Sequence, residues 1–141
     1  LESYVSGKAD YRLIATLPIF QEGIARLLSG ARDYKIALMC AEQDPLTCHR
    51  TILVCRAMKP HKVEIEHLLK DGTIESQEDA EHRLMLEEGE TPGQADIFAP
   101  SSGDTDVALD RAFDRRGSRI AFQEEASDDE DSHDRLHQEK R

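Results

Sequence analysis

Between Lys35 and Met58 the chain reads KIALMCAEQDPLTCHRTILVCRAM, and no other stretch sets so many reactive side chains so close together. Cys40 and Cys48 supply thiols, Glu42 and Asp44 carboxylates, His49 an imidazole and Arg50 a guanidinium. A thiol beside a cation or a helix N-terminus is held as the thiolate, which is the nucleophilic form. Cys48 is therefore the expected nucleophile, with His49 and Glu42 as the acid–base groups. Arg50, whose fork suits phosphate or carboxylate, is the expected substrate clamp, with Cys40 and Asp44 beside it. Each assignment has a plainer rival. Cys48 can be a small buried hydrophobe, Cys40 can pack under the loop, and Glu42 or Asp44 can simply pair with Arg50. Neighbouring helical residues diverge by about 100°, so a direct Cys48–His49 dyad is disfavoured. Cys40 and Cys48 can form a disulfide only if the loop brings them within reach, and their spacing is not the C-x-x-C redox motif. Zinc fits Cys40, Cys48, His49 and His67 by ligand type, but the spacing follows no familiar pattern. No metal is assigned on spacing, and the cofactor is unknown.

The elements that must position these groups can be read around them. Ile36-Ala37-Leu38-Met39 is a continuous apolar run without alternation, which suits a strand buried on both faces, as in a parallel sheet. Asp44-Pro45 is a helix start, with aspartate as cap and proline in the first turn. The helix is expected to run to about Met58, with Leu46, Ile52, Leu53, Cys55 and Met58 on its apolar stripe. Strand end meeting helix N-terminus is where open α/β sheets bind ligands, anions above all. Upstream, Phe20, Ile24, Leu27 and Leu28 predict a packing helix from Leu17 to Ala31, with Thr16 as cap and Gly30 as stop. Downstream, Val63 to His67 alternates as a second strand, Asp71-Gly72 is a turn, and Ser76-Gln77-Glu78-Asp79 is a capping box opening a helix to about Glu88. Two strands joined through a helix predict a right-handed parallel β–α–β unit.

The composition of the remainder sets the boundaries. Residues 1–88 read as the C-terminal part of an α/β domain. Residues 89–123 read as a Gly/Pro/Ser/Thr linker and a C-terminal extension, with a short helix over Val107–Phe113 and a strand or strap over Ser118–Gln123. Residues 124–141 are nearly devoid of apolar side chains and predict a disordered acidic tail. The 29 acidic residues against 18 basic ones give a formal net charge of -11, which argues against a broad nucleic-acid surface. The three cysteines fit reduced thiols in a cytoplasmic protein, and no apolar run has the length of a membrane span. Two strands make a poor parallel sheet. Together with the lack of an initiator methionine, this leads to the expectation of a chain that begins inside a longer product or is a processed form.

Met39-Cys40-Ala41-Glu42, Asp44-Pro45 and Cys48-His49-Arg50 together resemble the signature of a bacterial and archaeal family called domain of unknown function 488. The similarity extends to Asp10-Tyr11 and the Phe20 helix, to His67, Asp71-Gly72 and Arg83-Leu84, and to Asp96-Ile97-Phe98, Ala112-Phe113 and Arg119 to Phe122. The resemblance implies a Rossmann-like α/β fold. It also implies an earlier strand with a threonine–isoleucine–glycine–histidine–serine motif and a second ending in aspartate–valine–arginine, both facing this pocket. Neither is present, so the missing N-terminal half becomes an expected partner. The family carries no established reaction. The leading functional reading is an enzyme whose Cys/His/Arg/Glu pocket acts on a phosphate- or carboxylate-bearing small molecule or nucleotide. The alternatives are a non-catalytic nucleotide or nucleic-acid binding module, and a fragment inactive without its other half.

Overall fold

A computed structural model describes residues 3–90 and 102–123. The architecture is mixed: helices with two small antiparallel sheets. The short hairpin β1 (Tyr4–Val5) and β2 (Lys8–Ala9) leads into α1 (Tyr11–Thr16) and α2 (Pro18–Gly30), and the single turn α3 (Arg56–Met58) comes after the chemistry-bearing segment. The hairpin β3 (Glu66–Leu68) and β4 (Ile74–Ser76) turns at Gly72, whose φ of 85° suits only glycine without strain. It runs directly into α4 (Gln77–Glu87), and α5 (Ser102–Ile120) follows.

The core lies where α4 and α5 close on the chemistry-bearing segment. Ala80, Leu84 and Met85 of α4 meet Ala108, Leu109, Ala112 and Phe113 of α5, and Leu46 and Ile52 are buried among them. Gly117 permits a close approach of α5 to Tyr11 and Ile52. A Cβ there would lie 3.3 Å from the Tyr11 ring and 3.4 Å from Ile52 Cγ2. Arg56 stacks over the Phe113 ring at 5.2 Å while pairing with Asp110 and Asp114.

Charge seals the same seam. Arg116, nearly buried, donates to Glu88 Oε1 at 2.7 Å, Glu87 Oε2 at 2.8 Å and the Leu46 carbonyl at 3.2 Å. Arg119 adds a second bond to Glu88, and Arg115 binds both the Glu88 carbonyl and Glu90. These pairs explain why α5 extends well beyond the expected Val107–Phe113. Its fourth and fifth turns are held by arginine–glutamate contacts, which an apolar periodicity does not reveal.

Several sequence expectations are corrected. Residues 35–40 form no strand, and Ile36, Leu38 and Met39 are 45%, 36% and 92% exposed. A strand needs a neighbour to take up its backbone N–H and C=O groups, and no described segment pairs with this one. The β–α–β expectation fails with it: both strand pairs among the described residues are antiparallel hairpins, β1–β2 turning at Ser6-Gly7 and β3–β4 at Asp71-Gly72. The helix expected from Pro45 to Met58 is broken into a 3-10 turn Pro45–Thr47, a π-helical stretch Arg50–Cys55 and a final turn Arg56–Met58. Cys48 itself is extended, with φ -116° and ψ 135°. Leu17 rather than Thr16 caps α2, and Thr16 Oγ1 instead donates to the Leu13 carbonyl. α2 does end at Gly30, but Ile24 is its only buried residue. Ser76 does cap α4, accepting from Asp79 N–H at 3.0 Å. The strand or strap expected over Ser118–Gln123 holds only at its end: Ser118–Ile120 continue α5, after which Phe122 accepts from Ala9 N–H and Gln123 bridges Lys8. Most of the expected linker and the acidic tail lie outside the described residues.

Two stability outcomes follow. Arg116→Ala leaves the buried Glu88 carboxylate without its main partner, so urea denaturation should show a loss of about 3 kcal/mol. An unchanged midpoint would mean the network contributes nothing. Thr51 Oγ1 is buried with no hydrogen-bond partner among the described residues. Thr51→Val should therefore hold or raise the melting temperature, where a buried threonine with a satisfied hydroxyl would lower it.

Candidate functional site

Asp44 begins the local architecture. Its carboxylate accepts from Leu46 N–H at 2.9 Å, and Pro45 occupies the first position of the turn that follows. Arg83 of α4 holds the same carboxylate at 3.0 Å while binding Glu75 of β4. Burial pushes the Asp44 carboxyl up, but the Arg83 and Leu46 hydrogen bonds outweigh it and keep it below its ordinary value. Asp44 is thus occupied as a cap and an anchor, not turned toward the thiols.

After this turn the extended Cys48 starts a second helical stretch. Its carbonyl accepts from Thr51 and Ile52 N–H, and its sulfur accepts from Arg50 N–H at 3.3 Å. The sulfur does here what a serine or aspartate oxygen does at an ordinary helix start. The π-helical turn that follows is a geometry often found at functional sites. It keeps Ile52 in the core and leaves His49 exposed.

Arg50 then ties the loop together. Its Nε donates to Cys48 Sγ at 3.1 Å, one terminal nitrogen to the Leu38 carbonyl at 3.0 Å and the other to the Glu42 carbonyl at 3.2 Å. These bonds fold residues 38–42 back over Cys48 and bring Cys40 to the same place. Cys40 Sγ lies 3.9 Å from His49 Nδ1. The ligand atoms of Cys40, Cys48 and His49 all lie within 4.8 Å of one another. The spacing argument against a Cys48–His49 pair is bypassed, because Cys48 is not helical and His49 meets Cys40 instead.

The two thiols differ in character. Cys48 is buried, and burial followed by its hydrogen bond with Cys40 raises its pKa despite Arg50. Cys40 is half-buried. The backbone N–H of Glu42 first, then the Cys48 side chain, lower its pKa, and Arg50 adds to the effect. The structure thus favours Cys40 over the expected Cys48 as the accessible thiolate. Glu42 reaches the cluster through its backbone, while its side chain is exposed. Cys55, as expected, is in the interior, its thiol pushed up to about 11 by burial.

Sequence reasoning about the site missed Tyr11. The phenol is half-buried, and burial followed by the neighbouring Cys48 and Cys40 raises its pKa. Nothing in residue spacing signals a tyrosine so far upstream. Tyr11 also lines a cleft of about 440 Å³, with Lys8, Arg12, Arg56, Asp114 and Arg115 among its other walls. All three arginines there are already in ion pairs.

With this geometry in view, residues 3–57 match the model of the family described as Domain of unknown function DUF488. That segment holds Tyr11, both site cysteines, His49 and Arg50, and over it the chain is similar to that family. No curated protein and no solved structure matches the chain. Among the described residues, no helix is long and apolar enough to cross a membrane.

The thiol order is measurable. With a chelator and reductant present and the reductant then removed, iodoacetamide at neutral pH should label Cys40 first, Cys48 more slowly and Cys55 last, as read by peptide mass spectrometry. Since the thiolate is the reactive form, Cys55 labelling should climb only as pH approaches about 11. Labelling of Cys48 ahead of Cys40 would reverse the assignment.

Proposed function

We propose that the Cys40–Cys48–His49–Arg50 cluster is the active site of a thiol enzyme. It hydrolyses or transfers a group on a phosphate- or carboxylate-bearing small molecule or nucleotide. The observation that carries this reading is the solvent-reachable Cys40 sulfur facing His49 Nδ1 at 3.9 Å. His49 takes the Cys40 proton as the sulfur attacks a carbonyl carbon or phosphorus. The sulfur–substrate bond forms as the bond to the leaving group breaks, and His49 returns the proton to that group. Water or an acceptor then displaces the sulfur and restores the thiol.

Arg50 supports both binding and position. A guanidinium has five donors, and three of them hold Cys48, Leu38 and Glu42. The second hydrogen on each terminal nitrogen remains for a substrate anion. Glu42, exposed at the rim, is placed to order water or substrate rather than to pair with Arg50. The uncovered Ile36–Met39 run suits pairing with further strands of the family's α/β domain, which would complete a Rossmann-like sheet beside the cluster. Free thiols at the site fit a reducing compartment such as the cytoplasm.

The test uses p-nitrophenyl acetate and p-nitrophenyl phosphate as probes. Nitrophenol release should proceed through a covalent adduct on Cys40, detectable by mass spectrometry after acid quench. Cys40→Ser should abolish release, His49→Gln should slow it by about a hundredfold, and Cys55→Ser should leave it unchanged. Release that persists in Cys40→Ser, or an adduct confined to Cys48, overturns the reading.

A further inference from the structure

The cluster has a second chemical capacity. Two soft sulfurs and one imidazole nitrogen converge from a single ten-residue loop, all within 4.8 Å of one another. Around a tetrahedral zinc ion, bond lengths near 2.3 Å to sulfur and 2.0–2.1 Å to nitrogen place two sulfurs about 3.8 Å apart and a sulfur and nitrogen about 3.6 Å apart. The Cys40 Sγ to His49 Nδ1 separation of 3.9 Å is already close to that. We propose that Cys40, Cys48 and His49 form a three-ligand site for Zn²⁺ whose fourth position opens to solvent, and that occupancy silences the Cys40 thiol.

The surroundings suit this. Cys40 and His49 reach solvent, which supplies an entry path, while Cys48 closes the inner side. The sulfur of Cys48 already receives two N–H donors from Arg50, and the Glu42 backbone N–H stabilises the Cys40 thiolate. Such donors are the usual outer shell of a metal-bound thiolate. Binding replaces the thiol protons of Cys40 and Cys48, which leave to solvent, and nothing is oxidised or reduced. The two thiolates cancel the ion's two positive charges, so the adjacent Arg50 cation is tolerated. Spacing along the chain hides the site, because zinc motifs are recognised by paired short intervals and this one is closed by the Arg50 fold-back. His67, the other ligand that its residue type suggested, lies away from it, bound to Gln77 Oε1 at 2.8 Å.

This inference rests on the reading of the cluster as the functional site but not on Cys40 being a nucleophile. The full reduced chain would be titrated with Co²⁺ as a spectroscopic probe, then with Zn²⁺ in competition. Tetrahedral visible bands and thiolate-to-cobalt charge-transfer absorption should appear at one equivalent and vanish as Zn²⁺ is added. Cys40→Ser and His49→Gln should each weaken binding by more than tenfold, Arg50→Gln by about tenfold, and Cys55→Ser not at all. Zn²⁺ should slow iodoacetamide labelling of Cys40 at least tenfold. Absence of the charge-transfer band, or equal binding by Cys40→Ser, overturns the zinc site. Rapid Cys40 labelling and probe turnover without that band would leave the thiol-enzyme reading standing alone. A tetrahedral cobalt spectrum with probe turnover untouched in Cys40→Ser would do the opposite.

Discussion

The folded arrangement depends most on one buried contact, that of Arg116 with Glu88 and the Leu46 carbonyl. Taking a guanidinium and a carboxylate out of water is costly, and only dense hydrogen bonding offsets it. Here Arg116 joins three segments at once: α5 carries it, the end of α4 supplies Glu87 and Glu88, and the site turn supplies Leu46. Leu46 is also fully buried in the core, so its carbonyl is fixed from both sides. A carbonyl held this way anchors the chain two residues before Cys48. The position of the thiol is therefore set by helices far away in sequence.

Arg50 repeats the device at smaller scale. Its guanidinium bridges two carbonyls and a sulfur, and so closes a loop that has no β-ladder to hold it. An arginine used in this way is less an anion clamp than a clasp. The distinction matters for chemistry. A clasp fixes the distance between Cys40 and His49 without ligand present, so the ordering cost is met on folding rather than on binding. Arg83 completes the frame by tying Asp44 to β4 and α4.

The sequence was most legible where local chemistry decides. Ser76 caps α4, Asp44 caps the turn before Cys48, Gly30 ends α2, and Asp71-Gly72 reverses the β3–β4 hairpin, each through contacts within a few residues. The clustering of Cys40, Cys48 and His49 was legible in part, since these thiols, the imidazole and the Arg50 guanidinium all fall within eleven residues. The internal roles were not. Cys48 was placed on a helix because Pro45 and the following apolar stripe match one, yet Arg50 and Leu46 impose an extended residue there. Ile36–Met39 has the composition of a buried strand and the environment of an exposed loop, since hydrophobicity does not say whether a neighbouring strand is at hand. The antiparallel pairing of β3 was hidden for a related reason. Alternation in Val63–His67 pointed to a strand that forms only at Glu66–Leu68, and it does not give the partner's direction.

Net charge illustrates how far bulk composition stands from local field. The chain carries a formal charge of -11, which by itself suggests repulsion of anions. Yet the groups nearest Cys40 and Cys48 are an arginine and backbone N–H donors, while the Asp44 carboxylate is neutralised by Arg83. Buried or half-buried pairs act over a few ångströms and are little screened, whereas exposed charges separated by more than about 8–10 Å are largely screened at physiological salt. The acidic excess therefore governs solubility and encounter with other macromolecules, and the thiol cluster answers to Arg50. An anionic substrate and a divalent cation can both be suited to such a site, the first through the unused guanidinium hydrogens and the second through the sulfurs.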